Sequence, residues 1–453
     1  MKTRITTLII FTLFINTINL SAQFTLSGTI RNYSQQKLIL NQMKGDRQIP
    51  IDSIVSNQEG EFQFVFDRDI LPGMYVLKTE TGQSIRLIYN FQDVRFVSGG
   101  FSEEDYVEFI ESPENELWYS YFFKKNITQY QQDLLKPLLV QYPEDTDFYQ
   151  AVKEEYLLLQ RELHNHAEEI ISENPNMLVT RYIRTDLTPP INLDHSFDEQ
   201  RKYLKAHFFD HVDFTDEALL QSDILSRKFI DYLAMYQQQG MGMAEVQMNF
   251  IRAVDIILQE SSVNAQVYVF AVTYLIEGFS RMGLNAVTDF LSSLPHLNPG
   301  CMEPETVEEL ELAINPYRKI VVGTSAPEII ENDIDGNIFT LSDNENKQQL
   351  IVFWSTSCPY CLELLPDLKK FEAAHPETSI VSIILSPDTN ELREIIKNEQ
   401  LNWIHIAPAG GWQSKVVDDY MVYATPTMIL LDKDGKISFK PTSFHELQEF
   451  VNK

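Results

Sequence analysis

Cysteine is scarce in this chain. Three Cys in 453 residues are too few for a fold stapled by disulfides. With 17 Gly and 20 Pro, a collagen-like repeat or a low-complexity polymer is excluded as well. Basic residues are outnumbered: 36 Lys+Arg against 65 Asp+Glu give a formal charge of −29. So acidic a surface repels phosphate backbones and anionic bilayers, and nucleic acid is not expected as a partner. Beyond the N-terminal segment no run is long and apolar enough to span a bilayer, which takes about 20 residues. What the chain does have is 44% hydrophobic and 11% aromatic residues. Over this length that supplies two or three domains, each with its own core.

Residues 1–22 read as a signal peptide. Lys2 and Arg4 precede a mostly apolar stretch from Leu8 to Leu20, broken by Asn16, Thr17 and Asn19, and Ala22 offers a small residue for cleavage before Gln23. The expected compartment is therefore periplasmic, or extracytoplasmic more generally, where disulfides can form. The alternative is an uncleaved signal that leaves the protein membrane-anchored. No Cys stands near the cleavage position, so lipid attachment there is excluded.

Three textures follow. Residues 23–100 alternate like strands: Phe62, Phe64 and Phe66 interleave with Gln63, Val65 and Asp67, and Ile85, Leu87 and Tyr89 repeat the period. An antiparallel β-sandwich closing at Ser98-Gly99-Gly100 is expected. Residues 101–318 change to the helical period. Val152, Tyr156, Leu159, Leu163, Ala167 and Ile170 form one stripe, and Phe250, Val254, Ile257 and Leu258 another. An all-α middle region is expected there. From 319 to 453 strands and helices alternate. Leu350–Trp354 is apolar without alternation, as a strand buried on both faces would be. Helices are expected from Pro359 to about Ala374 and over Leu392–Ile396, with strands at Ile380–Leu385, Met428–Leu431 and Ile437–Phe439. Asp434-Gly435 reads as a two-residue hairpin turn between the last two strands. The order implies a mixed sheet covered by helices.

Cys358-Pro359-Tyr360-Cys361 lies where the buried strand gives way to a helix. Free N–H groups and the macrodipole at a helix start favour an anion, so the Cys358 thiol should ionise below the free value of roughly 8.5. Pro359 suits the first helical position, where its missing N–H is not needed. Two Cys three apart at a helix start bring their sulfurs within bonding reach.

With these placed, residues from about 320 to the C-terminus resemble the thioredoxin superfamily, in particular its TlpA/ResA-like thiol-disulfide oxidoreductases. Gly323–Pro327 matches the family's Gly-x-x-Ala-Pro, and Phe353–Cys361 its Phe-Trp-x-x-x-Cys-x-x-Cys. Pro366 matches its helix-kinking proline, and Thr425-Pro426-Thr427 its cis-proline loop. The resemblance implies a C-terminal α/β thioredoxin fold. It makes Cys358 the nucleophile toward a substrate disulfide and Cys361 the residue that resolves the mixed disulfide. Thr425 and Pro426 would dock the substrate as an added strand. Trp354, Pro359 and Tyr360 would complete the substrate-binding region, with Trp354 packed beneath the site. No cofactor beyond a Cys358–Cys361 disulfide is implied. The partners implied are client proteins with disulfides and a redox partner such as a membrane reductase. Two positions depart from the pattern. Val352 stands where thioredoxin proper has a buried Asp, and Leu364 stands where the TlpA/ResA group has Glu, with Glu363 one step away.

Other chemistries fit less well. A zinc site needs four ligands, and Cys301 lacks a partner at ligand spacing, so no metal is expected. Cys301 itself reads as an incidental thiol. His207 and His211, at i,i+4 in a helical stretch, lack a third ligand, and His164 and His166 face different sides of a helix. The sandwich and helical segments resemble uncharacterised regions that precede thioredoxin-like domains in exported bacterial proteins. The alternative to an enzyme is a non-catalytic binding or scaffold protein with a vestigial redox domain.

Overall fold

The computed structural model describes residues 24–452 apart from 67–68, 102–105, 295–301, 345–346 and 387–388. The expected signal segment and Cys301 lie outside the described residues. The chain forms two compact units. One comprises residues up to Arg184 with Gln221–Asp223, and the other Thr185–Leu220 with Ile224 onward. The middle helices are thus shared between the two.

The first unit opens with eight strands: β1 (Phe24–Ile30), β2 (Lys37–Lys44), β3 (Arg47–Val55), β4 (Glu61–Phe66), β5 (Gly73–Thr79), β6 (Ser84–Tyr89), β7 (Val94–Ser98) and β8 (Val107–Glu111). They make two four-stranded sheets, ordered β4-β1-β7-β8 and β3-β2-β5-β6. Alternation along β4 buries Phe62, Phe64 and Phe66 and exposes the residues between them. These rings join Leu26 and Phe96 from the first sheet, and Leu38, Leu77 and Leu87 from the second, in one core.

Two expectations are corrected here. The first sheet is not purely antiparallel, because β1 and β7 pair in parallel from Leu26↔Val94 to Ile30↔Ser98. After β1 the chain alternates between the sheets, with β2 and β3 in the second, β4 back beside β1, and β5 and β6 in the second again, before β7 pairs with β1, a long-range pairing that turn signals do not report. The strand texture also continues past Gly100. β8 pairs antiparallel with β7, and Phe109 packs on Phe96 with ring centroids 5.8 Å apart.

The unit continues with α1 (Pro113–Gln141), α2 (Asp147–Glu173) and the start of α3 (Leu178–Asp186). The α2 stripe is buried at Val152, Tyr156, Leu159, Ala167 and Ile170. Buried Glu114 accepts the N–H groups of Leu178 and Val179 at 3.0 and 2.6 Å, placing a carboxylate on the N-terminus of α3. Asn115 bonds both the N–H and the carbonyl of Ile88, tying α1 to β6.

In the second unit, α4 (Phe197–His207) starts with a capping box between Ser196 and Glu199. Next come α5 (Ile224–Ala234), α6 (Met243–Ser261), α7 (Ala265–Arg281), α8 (Asn285–Ser292) and α9 (Pro304–Arg318). The α6 stripe Phe250, Val254, Ile257 and Leu258 is buried. His207 is the last residue of α4, so His211 lies beyond the helix that was to carry both.

The C-terminal part holds a two-stranded ladder of β9 (Ile330–Asn332) and β10 (Ile338–Thr340). Then follow β11 (Gln348–Trp354), α10 (Pro359–Ala374), β12 (Thr378–Ile384), α11 (Thr389–Glu399), β13 (Ile404–Ile406), α12 (Lys415–Asp419), β14 (Thr427–Leu431), β15 (Ile437–Phe439) and α13 (Phe444–Val451). The five-stranded sheet is ordered β13-β12-β11-β14-β15. β11 pairs in parallel with β12 and antiparallel with β14. Along β11, Leu350, Val352 and Trp354 face one core and Ile351 and Phe353 the other, which is why the strand reads as continuously apolar.

The turn between β14 and β15 differs from the two-residue hairpin expected. It runs from Asp432 to Lys436, with the Asp432 carboxylate accepting the N–H groups of Asp434 and Lys436, both at 2.9 Å. The register shifts at Leu430/Leu431. A side-chain cap thus stabilises a longer loop around Gly435. Gly323 packs its segment on the same hairpin: it has φ +96 and donates its N–H to the Ile437 carbonyl at 2.7 Å. That positive φ favours glycine at the first position of the Gly-x-x-Ala-Pro motif.

Candidate active site

β11 ends at Trp354, Ser355–Ser357 turn the chain, and Cys358 is the N-cap of α10, with Pro359 at the first helical position. The Cys358 sulfur accepts the Cys361 N–H at 3.3 Å, where a Ser or Asp oxygen would sit in an ordinary cap. Its thiol donates to the Thr425 carbonyl at 3.4 Å. Thr425-Pro426 is a cis peptide. Five of the seven residues expected at the site therefore meet: Cys358, Pro359, Cys361, Thr425 and Pro426.

The other two lie on opposite sides of solvent access. Tyr360 is 74% exposed, whereas Trp354 is buried in the core that also holds Cys361. Trp354 supports the dithiol from below and offers no surface to an incoming molecule.

The two thiols differ. Burial pushes the Cys358 thiol up, but hydrogen bonds from Cys361 and Thr425 and from the N–H groups of Cys361 and Tyr360 outweigh it, leaving the thiol below its ordinary value. Cys361 is 1% exposed. Burial, with its hydrogen bond to Cys358, pushes that thiol up to about 11. Both are free thiols. The pair is a half-exposed, readily ionised sulfur beside a buried, protonated one.

No carboxylate acts on this pair among the described residues. Val352 and Leu364 are buried in the core beside Cys361, and Glu363 is exposed to solvent. One residue along a helix turns a side chain by about 100°, which carries Glu363 off the Cys361 face.

Sequence reasoning missed the groups that hold the Ser355–Ser357 turn. Ser386, just past β12, bonds the Ser355 hydroxyl at 2.9 Å and accepts the Thr356 N–H at 2.6 Å. The Thr356 hydroxyl donates to Glu391 of α11 at 2.7 Å. The polar run Ser355-Thr356-Ser357 closing an apolar strand was the available signal, but its partners come from 30 or more residues away. Elsewhere, His207 bonds Asp210 at 2.8 Å and lies tilted against the Tyr203 ring, centroids 4.5 Å apart. Among the described residues no three His, Cys, Asp or Glu side chains gather as a metal ion would require.

A thiol that caps a helix, a buried second thiol one turn on and a cis-proline loop across from them, on a mixed sheet, define a thioredoxin-superfamily redox domain. Sequence comparison with known proteins agrees. Residues 321–445 match the Redoxin family model, and residues 164–286 match a domain of unknown function, DUF5106. The thiol-disulfide oxidoreductase ResA of a Bacillus cereus strain is 28% identical over 121 residues, which is 26% of this chain and 68% of that protein. The sporulation thiol-disulfide oxidoreductase A of Bacillus subtilis is 26% identical over 116 residues, 24% of this chain and 68% of that protein. Among solved structures, the thioredoxin domain of a thiol-disulfide oxidoreductase from Bacteroides vulgatus is 25% identical. It aligns with 29% of this chain and 96% of that one, with a TM-score of 0.28. A thioredoxin-like protein from Bacteroides caccae is 17% identical and aligns with 59% of this chain and 97% of that one, with a TM-score of 0.39. These matches support an oxidoreductase of the thioredoxin superfamily, similar over its C-terminal part to ResA-like proteins.

Proposed function

We propose that the protein exchanges or reduces protein disulfides outside the cytoplasm through Cys358 and Cys361. The Cys358 thiolate attacks one sulfur of a client disulfide, forming a mixed disulfide and releasing the other client sulfur as a thiolate. Cys361 then gives up its proton and attacks the Cys358 sulfur, expelling the client's second thiolate. The client gains two electrons, and the protein is left with a Cys358–Cys361 disulfide. A separate dithiol partner, such as a membrane reductase, returns it to the reduced state. No further cofactor is needed. Thr425 and Pro426 receive the client backbone beside Cys358, while Pro359 and exposed Tyr360 face it.

One observation supports this reading above the others: the sulfur placed for attack is the one that caps the helix, and the sulfur placed for resolution is buried behind it. A vestigial scaffold domain would not need that asymmetry. Export by residues 1–22, a β-sandwich over 23–100 and a helical region over 101–318 that hold the client near Cys358 complete the proposal. It is tested with Cys361→Ser. Purified under thiol-blocking conditions, this variant should retain clients on Cys358 as mixed disulfides that dithiothreitol releases. A yield no greater than that of the variant lacking both Cys would refute the assignment.

A further inference from the structure

In the second unit, α4 and α6 border a cavity of about 280 Å³ whose charge runs against that of the whole chain. α4 contributes Arg201, Lys202 and Lys205, spaced so that Arg201 and Lys205 share one helix face with Lys202 beside them, and α6 contributes Arg252. Asp198 is the only carboxylate among the lining residues, and it is engaged by Arg201 at 2.5 Å. The Lys205 ammonium sits 3.5 Å from the centre of the Tyr236 ring, and among the described residues no carboxylate pairs with it. Arg252 donates to the Asn249 side-chain oxygen at 3.2 Å.

On a merely solvated basic face, in a chain with nearly twice as many acidic as basic residues, carboxylates would be expected to interleave with these cations. Here four of them border one cavity whose lining includes a single carboxylate, Asp198, with Glu199 of the same helix acting on Lys202 from outside that lining. Burial and the charge of Arg201 both push Lys205 below its ordinary value, as expected where positive groups crowd without a counter-charge.

We infer that this cavity is a binding site for a compact, multiply charged phosphate group. Two guanidinium groups, Arg201 shared with Asp198 and Arg252 with Asn249, and two ammonium groups match such an oxyanion, because Arg binds it through paired N–H donors and Lys adds point charge. The volume of about 280 Å³ accommodates a phosphate-bearing small molecule. All the lining residues fall within the stretch that matches the domain of unknown function, so that stretch has a ligand role independent of the dithiol chemistry.

Phosphate could come from a soluble compound or from a lipid headgroup, and the net charge of −29 favours the soluble source. Titration calorimetry of the full-length protein with pyrophosphate, against chloride at matched ionic strength, should show saturable binding. The Lys205→Gln/Arg252→Gln double variant, its circular dichroism unchanged, should weaken that binding at least about tenfold, since each lost contact is charge-assisted. Lys205→Arg should retain it. Sedimentation with phosphatidylglycerol vesicles forms the second arm. Capture by vesicles that the double variant loses, without pyrophosphate binding, would assign the same site to a lipid phosphate. If neither probe binds, or the double variant binds as the wild type does, the site is refuted. Insulin-disulfide reduction by the variants should stay at the wild-type rate, separating this outcome from any failure at Cys358.

Discussion

The backbone N–H of Cys361 meets the sulfur of Cys358 at 3.3 Å while the Cys361 thiol itself is buried, so two residues of one helical turn are shifted in opposite directions. Cys358 falls below its ordinary value and Cys361 rises to about 11. Iodoacetamide modification followed by mass spectrometry should therefore give Cys358 a midpoint below the roughly 8.5 of a free thiol. Cys361 should resist until far more alkaline pH. The same shifts set a stability profile for the reduced form. Cys358, lowered on folding, stabilises above its unfolded value, and that contribution is lost as pH falls through its lowered one. Cys361, raised on folding, stabilises below its unfolded value, and that contribution is lost as pH climbs to about 11. The disulfide form has neither group. Urea unfolding of the reduced form against pH, with the disulfide form as the baseline, should show both contributions; coincident alkylation midpoints for the two thiols would sink the assignment.

Leu364 fills the core one turn past Cys361, where the TlpA/ResA pattern carries Glu, and Glu363 does not replace it. On the proposed mechanism, resolution by Cys361 would have no carboxylate beside it among the described residues to take its proton. Leu364→Glu should shorten the lifetime of a Cys358 mixed disulfide, by up to about 10²-fold if the new carboxylate takes the Cys361 proton. It should also destabilise the fold by about 2–5 kcal/mol, from lost apolar packing and a buried polar group. Acid-quench kinetics on a model mixed disulfide measure the first effect and urea denaturation the second. An unchanged lifetime in a folded variant would show that proton removal from Cys361 does not limit release.

Much of this site was legible because its signals are local. The helix cap at Cys358, Pro359 at the helix start and the apolar run of β11 each follow from a few neighbouring residues, and the structure places them as read. The pairing of β1 with β7 was not legible, because parallel neighbours are set by packing across many intervening residues. The Asp434-Gly435 turn was misjudged because Asp432, outside the dipeptide, caps the loop. Ser386, just past a strand, and Glu391, on α11, escaped for the same reason: neither carries a local mark of the loop it will hold.

That loop gives a further prediction. The Thr356 N–H is buried and donates to Ser386 at 2.6 Å, so Ser386→Ala leaves a buried donor without an acceptor. The expected loss is about 1–3 kcal/mol in urea denaturation. Insulin-disulfide reduction should also slow, since the turn that orients Cys358 is loosened. Ser386→Thr, which keeps a hydroxyl, should recover most of the activity. A stability loss with unchanged turnover would show that Cys358 is positioned by α10 alone.

The last prediction concerns the seam inside the second unit, where Lys440, just past β15, meets Asp289 of α8 at 2.5 Å. The Lys440 side chain is only 4% exposed, and α8 adds a bond from the Asn285 amide to the Lys440 carbonyl at 3.0 Å. Burial pulls the Lys440 ammonium below its ordinary value, and Asp289 offsets this only in part. An ion pair in such a place contributes little net stability, yet losing one partner strands a charge away from water. Asp289→Ala should therefore destabilise the protein by about 3–5 kcal/mol, a large share of the 5–15 kcal/mol typical of folded domains. Replacing both residues, as Asp289→Leu with Lys440→Met, should restore stability to near or above the wild type. Urea denaturation of the wild type and the two variants decides the matter. The helices and the redox domain are coupled through this pair only if the single variant is much weaker than the double one; equal losses would mean that packing, and not the buried charge, joins them.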